Sequence, residues 1–308
     1  MEKWVKKTMP KSGSKITVNP SIKGAVENGQ LGLSGGRPVL RYNSYISSYK
    51  AEELPIIKNK KQVYKTHCLD KSKGHYINYG LRAAVLGLLQ KARTEDGIET
   101  HHVTVQLNSD FSKKITGGSV TRNPAQFFNR MFRLKVAMPM RVSHYFFVLE
   151  ESESGNLHVH VVMNLDVKMV SDLREVLKST KWCQIDIHGN YAASAINIST
   201  SYPIRVKRES MGKTEAELLD MEVIDYEDES LWKGVRKRKT LKGEVYFEEF
   251  QSKEKHPIDE GLADYLCKSM TDSLFYGGKN YAMSQSLKAT MKPFINQVIE
   301  EGKLRSKS

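Results

Sequence analysis

Cysteine is scarce in this chain: Cys68, Cys183 and Cys267 are its only thiols in 308 residues. Three scattered cysteines build neither a disulfide framework nor a zinc knuckle, and a reducing, cytoplasmic setting is expected. Long apolar runs are missing too. None reaches the roughly 18 residues of a membrane-spanning helix, so no membrane partner is expected. The opening MEKWVKKTMPKSGSK has no apolar stretch after its basic residues and does not read as a secretory signal. Neither an internal repeat nor a low-complexity tract is present. No G-x-x-x-x-G-K-[ST] loop occurs, which argues against a fused ATP-driven helicase. Acidic residues are outweighed: 48 Lys and Arg face 35 Asp and Glu, a net charge of +13. A surface that basic suits a polyanionic partner, most simply nucleic acid, or else is a solvated face that aids solubility.

What the chain does have is enough apolar residue, 39%, to bury a core. Residues 1–75 are polar, basic and broken by Gly, Pro and Ser, and read as an extension with little core of its own. Leu81, Val85, Leu88 and Leu89 sit at helical spacing, which predicts a helix over 79–93. His102 to Leu107 alternates as a strand does. Asn123-Pro124 is a helix start, with Phe127, Phe128, Met131 and Leu134 on its apolar face. Strands are predicted over 145–149 and 157–163, joined by a polar turn as a β-hairpin. A helix over 170–177 and a short strand over 184–187 follow.

Strand, helix, strand, strand, helix, strand is the split βαβ order. The expected class is therefore α+β: a ferredoxin-like antiparallel sheet with helices on one face. The main domain is expected over 76–295, with a basic tail over 296–308. Residues 205–256 interrupt it with an acidic block, 215–229, and then a basic one that includes Arg236, Lys237, Arg238 and Lys239. This stretch reads as an insertion or long surface excursion. Its basic part is either a phosphate-contacting surface or a solvated loop. Val245 to Phe247 reads as a last strand, and Pro257 as the start of a helix to about Asp272.

Leu157-His158-Val159-His160-Val161-Val162-Met163 carries the chemistry. Side chains alternate faces along a strand, so His158 and His160 project together. Imidazole is the commonest metal-ligating side chain, and a rigid strand presets two corners of a site. In the hairpin, a three-residue loop Glu153-Ser154-Gly155 puts Gly155 where a left-handed residue is needed and sets Glu150 opposite His158. A two-residue turn would set Glu151 there instead. Two imidazoles, a carboxylate and open positions suit Mg²⁺ or Mn²⁺ in phosphate chemistry. Two partly buried, hydrogen-bonded histidines would give the same pattern.

The second feature is Leu262-Ala263-Asp264-Tyr265-Leu266-Cys267-Lys268-Ser269-Met270. On a helix, Leu262, Leu266 and Met270 form the packed stripe, and Tyr265 and Lys268 share another face. A phenol beside an ammonium can attack a phosphodiester if a cation polarises the phosphate and the lysine steadies the charge. A boundary tyrosine beside a surface lysine is the plain alternative.

Together and in this order, the pieces resemble the HUH superfamily of single-strand endonucleases, specifically rolling-circle replication initiators. His158 to Met163 matches that family's His-apolar-His motif with its following apolar residues. Leu262 to Lys268 matches apolar-x-x-Tyr-apolar-x-Lys at every specified position. Val103 to Asn108 fits the loose first motif, and Glu150 holds the place of a Glu that many members carry before the turn. The resemblance covers roughly 100–290. The histidines precede the tyrosine, as in initiators and single-tyrosine transposases and unlike conjugative relaxases.

The resemblance implies an HUH endonuclease fold in which His158, His160 and Glu150 hold Mg²⁺ or Mn²⁺. It implies Tyr265 as nucleophile and Lys268 as its helper, and a sequence-specific DNA nickase and strand transferase that starts rolling-circle replication. Single-stranded or hairpin origin DNA would be bound by the basic residues, among them Lys279 and Lys288 of a segment after the tyrosine helix. A host helicase and DNA polymerase would be partners, in the bacterial host of a phage, plasmid or other mobile element. A transposase or mobilisation nickase would share the chemistry, and a non-catalytic DNA-binding protein would share the fold.

Overall fold

The structure is a computed structural model, and it describes residues 32–34, 37–39, 49–70, 75–117, 123–151, 157–186, 188–192, 194–209, 232–239, 245–267 and 280–307. Its elements are, in chain order, β1 (Gly32–Ser34), β2 (Arg37–Val39), α1 (Lys60–Val63), β3 (His67–Asp70), β4 (His75–Ile77) and α2 (Tyr79–Thr94). Then come β5 (Ile98–Gln106), α3 (Ser109–Thr116), α4 (Pro124–Phe132), β6 (Tyr145–Glu151), β7 (Leu157–Asp166), α5 (Val170–Ser179) and β8 (Ile196–Ser199). The remainder are β9 (Ser201–Glu209), β10 (Trp232–Lys239), β11 (Val245–Pro257), α6 (Gly261–Cys267), β12 (Tyr281–Met283), α7 (Gln285–Thr290) and α8 (Lys292–Arg305).

The contacts divide the chain into two units. The first runs to Thr200 and resumes at Pro257; the second is Ser201–His256. The first holds a five-stranded sheet in the order β12-β6-β7-β5-β8, antiparallel at every pairing. β6 and β7 form the hairpin, β5 lies on its far side, and β8 lies outside β5. Each strand-helix-strand crossover therefore skips one strand, the split arrangement expected from the sequence. β12 is an addition at the β6 edge. It comes from the Tyr281 segment, which from sequence had been grouped with basic DNA-contacting residues.

Alternation sorts the sheet residues onto two faces. Val103, Val105, Phe147, Leu149, Val159 and Val161 share one core with Phe111 of α3, Phe128 and Phe132 of α4, and Leu173 and Leu177 of α5. Aromatic rings knit it: Phe111 stacks on Trp182 at 4.9 Å between centroids, and Phe128 meets Phe147 edge-on at 4.8 Å. Asn123 caps α4 by accepting from the Gln126 N–H, with Pro124 in the first turn, as its sequence signature requires.

The expectation of helices on one face only needs correction. α2 packs on β5 and β7 from the other side, where Asn164 Nδ2 donates to the Leu88 carbonyl at 3.0 Å. Phe146, Val148 and Val162 on that face are fully buried and so need cover. α2 suits the task because it is apolar nearly all round: Leu81, Val85, Leu86, Leu88 and Leu89 are all without exposure. Such a helix must be covered on its outer side as well. α6, α7 and α8 supply that cover.

Three side chains from residues 49–70 also reach this interior. Leu54, Ile57 and Val63 are buried, α1 packs on α8, and Arg305 Nη2 donates to the Pro55 carbonyl at 3.2 Å. The approach is closest at Gly302, where an added Cβ would come within 2.7 Å of the Ile57 carbonyl carbon and closer still to its oxygen. Backbone cannot yield as a flexible side chain does. Gly302→Ala is expected to cost about 1–3 kcal/mol, the usual range for overpacking, read as a lowered urea midpoint with unchanged slope. An unchanged midpoint would show that the contact between this segment and α8 is dispensable.

Elsewhere the short predicted elements shift. Over the described residues 183–186 the chain makes isolated bridges, Leu107 to Cys183 and Ile185 to Tyr191, residue 187 lies outside the described ones, and the edge strand is β8 further on. The helix expected from Pro257 begins at Gly261, where Asp259 Oδ1 accepts from the Gly261 N–H at 2.8 Å. Its expected continuation to Asp272 lies outside the described residues. The second unit, read from sequence as an excursion, holds a sheet ordered β10-β11-β9. Among the described residues, no helix is long and apolar enough to cross a membrane.

Candidate metal centre

The hairpin register sets Glu150 opposite His158 and Glu151 opposite Leu157. That is the pairing a loop over 153–155 demands, although those residues lie outside the described ones. The alternative ligand Glu151 is thereby corrected: a neighbouring residue on a strand points to the opposite face. One step of period two along β7 adds His160 to the Glu150 and His158 face.

The three side chains converge. Glu150 Oε2 lies 3.0 Å from His158 Nε2 and 3.0 Å from His160 Nε2. The two imidazole rings stand edge to face, 4.8 Å between centroids. One donor atom from each residue can be chosen so that all lie within 4.8 Å of one another, a group that could hold a metal ion. The spacing fits a divalent cation: adjacent donors about 2.1 Å from an octahedral ion lie about 3 Å apart. His160 is 5% exposed at its side chain against 20% for His158 and 25% for Glu150. The set is therefore reached from solvent on its Glu150 and His158 side, with His160 at its floor.

Burial alone would raise the Glu150 carboxyl. Hydrogen bonds from His158 and His160, with the charge of both rings, overcome it and hold the group well below the usual carboxylate range. Glu150 is thus an anion at neutral pH, as a metal ligand must be.

Sequence reading missed the layer behind His160. His102 Nε2 lies 3.0 Å from His160 Nδ1, the rings stacked 5.2 Å apart at 24°. Thr104 Oγ1 lies 3.2 Å from the same nitrogen. Burial first, then the neighbouring His160, push His102 down to about 3, so it is neutral at physiological pH. The signal for His102 lay in its parity with Thr104 on β5. It becomes visible only once β5 is known to pair with β7, where Thr104 faces His160.

Tyr265 reaches the same site from another element. Leu262 and Leu266 are fully buried and seat α6, while the half-buried Tyr265 ring meets His160 edge-on at 6.1 Å between centroids. Glu260, just before α6, pairs with the fully buried Arg82 of α2, and Asp264 Oδ2 lies 3.9 Å from Arg82 Nε. Cys267 is buried, and burial together with the Asp264 charge pushes its thiol well above the ordinary value, so it stays protonated and inert.

The remaining sequence candidates are not brought to this centre by any described contact. Lys268 and Lys279 lie outside the described residues. Lys288 is exposed on α7. Arg236, Lys237, Arg238 and Lys239 lie on β10 of the second unit, where the register opposes Arg236 to Glu249 and Lys237 to Glu248. No protein-family model, curated protein or solved structure matches this chain.

Proposed function

We propose that the chain is a metal-dependent single-strand DNA nickase and strand transferase of the HUH type, acting as a rolling-circle replication initiator. The observation that carries this reading is the contact of Tyr265 with His160, one of a Glu150, His158 and His160 set able to hold a cation. The residues forming this contact are the ones on which the sequence resemblance to initiators rests. The split strand order and the His-before-Tyr order support the same family.

Mg²⁺ or Mn²⁺ suits two imidazoles and a carboxylate with open positions, and such an ion supplies positive charge that polarises a phosphodiester. Glu150 and the two imidazoles fix where that charge sits. The Tyr265 hydroxyl attacks the scissile phosphorus in line, forming a P–O bond to the phenol as the bond to the 3′ oxygen breaks. The phenolic proton is lost, and the departing oxygen gains one to become a 3′-OH that a polymerase extends. The DNA 5′ end stays on Tyr265 as a phosphodiester, so the reverse attack rejoins strands with no external energy source. The resemblance gives Lys268 the task of steadying charge beside the phenol. The net charge of +13 favours binding of the DNA backbone, with affinity falling as salt rises.

The test is incubation of the full chain with a randomised single-stranded oligonucleotide pool and Mn²⁺, followed by mass spectrometry of DNA-linked tryptic peptides. The expected result is one adduct, on the peptide containing Tyr265, suppressed by EDTA. Absence of an adduct, or an adduct indifferent to EDTA, overturns the reading.

A further inference from the structure

We infer that His102 is a positioning residue for the metal centre: it holds His160 in the tautomer that presents Nε2 to the cation. This rests on the metal-site reading above and goes beyond it, because the sequence motifs do not include His102. An imidazole that binds a cation through Nε2 carries its proton on Nδ1 and needs an acceptor there. Behind His160 Nδ1 the structure places His102 Nε2 at 3.0 Å and Thr104 Oγ1 at 3.2 Å. Both partners work in either direction. A hydroxyl donates or accepts, and a neutral imidazole does so according to its tautomer.

That freedom matters because His160 faces different neighbours in its two states. With Glu150 Oε2 at 3.0 Å as its partner, His160 Nε2 carries the proton, and Nδ1 accepts from behind. When Nε2 instead gives its lone pair to a cation, the proton resides on Nδ1, and His102 Nε2 accepts it. His102 completes the exchange by carrying its own proton on Nδ1. No side chain need move. The rigidity of β5 and β7, paired from Ile98 to Gln106, keeps the two rings in place.

The test compares Mn²⁺ binding by calorimetry in the full-length wild type, His102→Phe and His102→Gln. Phe keeps the ring and its packing but offers no acceptor; Gln restores one. Loss of such an outer partner typically weakens metal binding about 10–100-fold. The expected result is a loss in that range for His102→Phe and recovery to within about threefold for His102→Gln. Wild-type affinity in the Phe variant, or equal loss in both, overturns the inference while leaving the metal site standing. A wild type that binds no Mn²⁺ overturns both. A readout free of any variant is ¹⁵N-histidine NMR of the wild type with Mg²⁺: His160 is expected as the Nδ1–H tautomer, and the Nε2–H tautomer refutes the proposal.

Discussion

Tyr265→Phe is expected to abolish covalent attachment to DNA while leaving the metal centre intact. The change removes one hydroxyl and nothing else. The ring still meets His160 edge-on, so the contact that seats it, worth about 0.5–1.5 kcal/mol in such pairs, is kept. A phenol has a pKa near 10, so it is a poor nucleophile until a nearby positive charge favours its anion. With the oxygen gone, no other described ring contact brings a tyrosine to His160. Loss of an activated nucleophile commonly lowers turnover by many orders of magnitude, and here adduct yield should fall about 10³-fold or more. The check is a denaturing gel of labelled single-stranded DNA, run beside a Mn²⁺ titration. Adducts persisting in the variant would place the nucleophile elsewhere. A parallel loss of Mn²⁺ binding would mean that the ring, not the hydroxyl, matters.

The second large effect is expected at Arg82, inside the core. Arg82 has no exposure, and it faces Glu260, whose side chain is 0% exposed, and Asp264, at 1%. Those acids flank the start of α6, and Tyr265 is the next residue after Asp264. Arg82→Met keeps much of the volume but leaves two carboxylates in the interior without their cation. Breaking a buried ion pair in this way costs about 3–5 kcal/mol, a large part of the 5–15 kcal/mol that holds a typical domain together. Urea denaturation should therefore show a much lower midpoint. Adding Glu260→Gln and Asp264→Asn should recover part of the loss, because the stranded charges go with them. A single variant within 1 kcal/mol of wild type would refute this role of the pair.

Local pattern made the hairpin and its group of possible metal ligands legible. Period two gives His158 and His160 a common face, and the place of Gly155 in the turn gives the register that the structure shows. Sequence separation there is 8 residues, so turn chemistry alone decides the pairing. The α4 cap and the α2 helix were equally local. What the sequence did not disclose depends on distant partners. An all-round apolar α2 does not say which face of the sheet it covers. β12 is only 3 residues long, too short for a periodic signal. Leu54, Ile57 and Val63 find their partners at the opposite end of the chain. His102 gains meaning only from the β5 and β7 pairing. In the second unit, Val245 to Phe247 was legible as the start of β11, but β10 was hidden by charge, because it is mostly basic and charge runs read as solvated surface.

The placement of α6 carries a consequence for how the molecule comes into being. Arg82 and Glu260 lie 178 residues apart, whereas β5 to β8 pair among themselves within one compact stretch. A ribosome delivers the chain from its N-terminus, and domains condense as their parts emerge. Strands β5 to β8, which carry the histidines, are therefore complete in sequence before the phenol has been synthesised, whereas β12 comes after it, and contacts that close so long a loop form late. A nascent chain of that length carries Glu150, His158 and His160 without Tyr265 beside them. Under the proposed function, such a chain cannot attack DNA until α6 has been made and has docked.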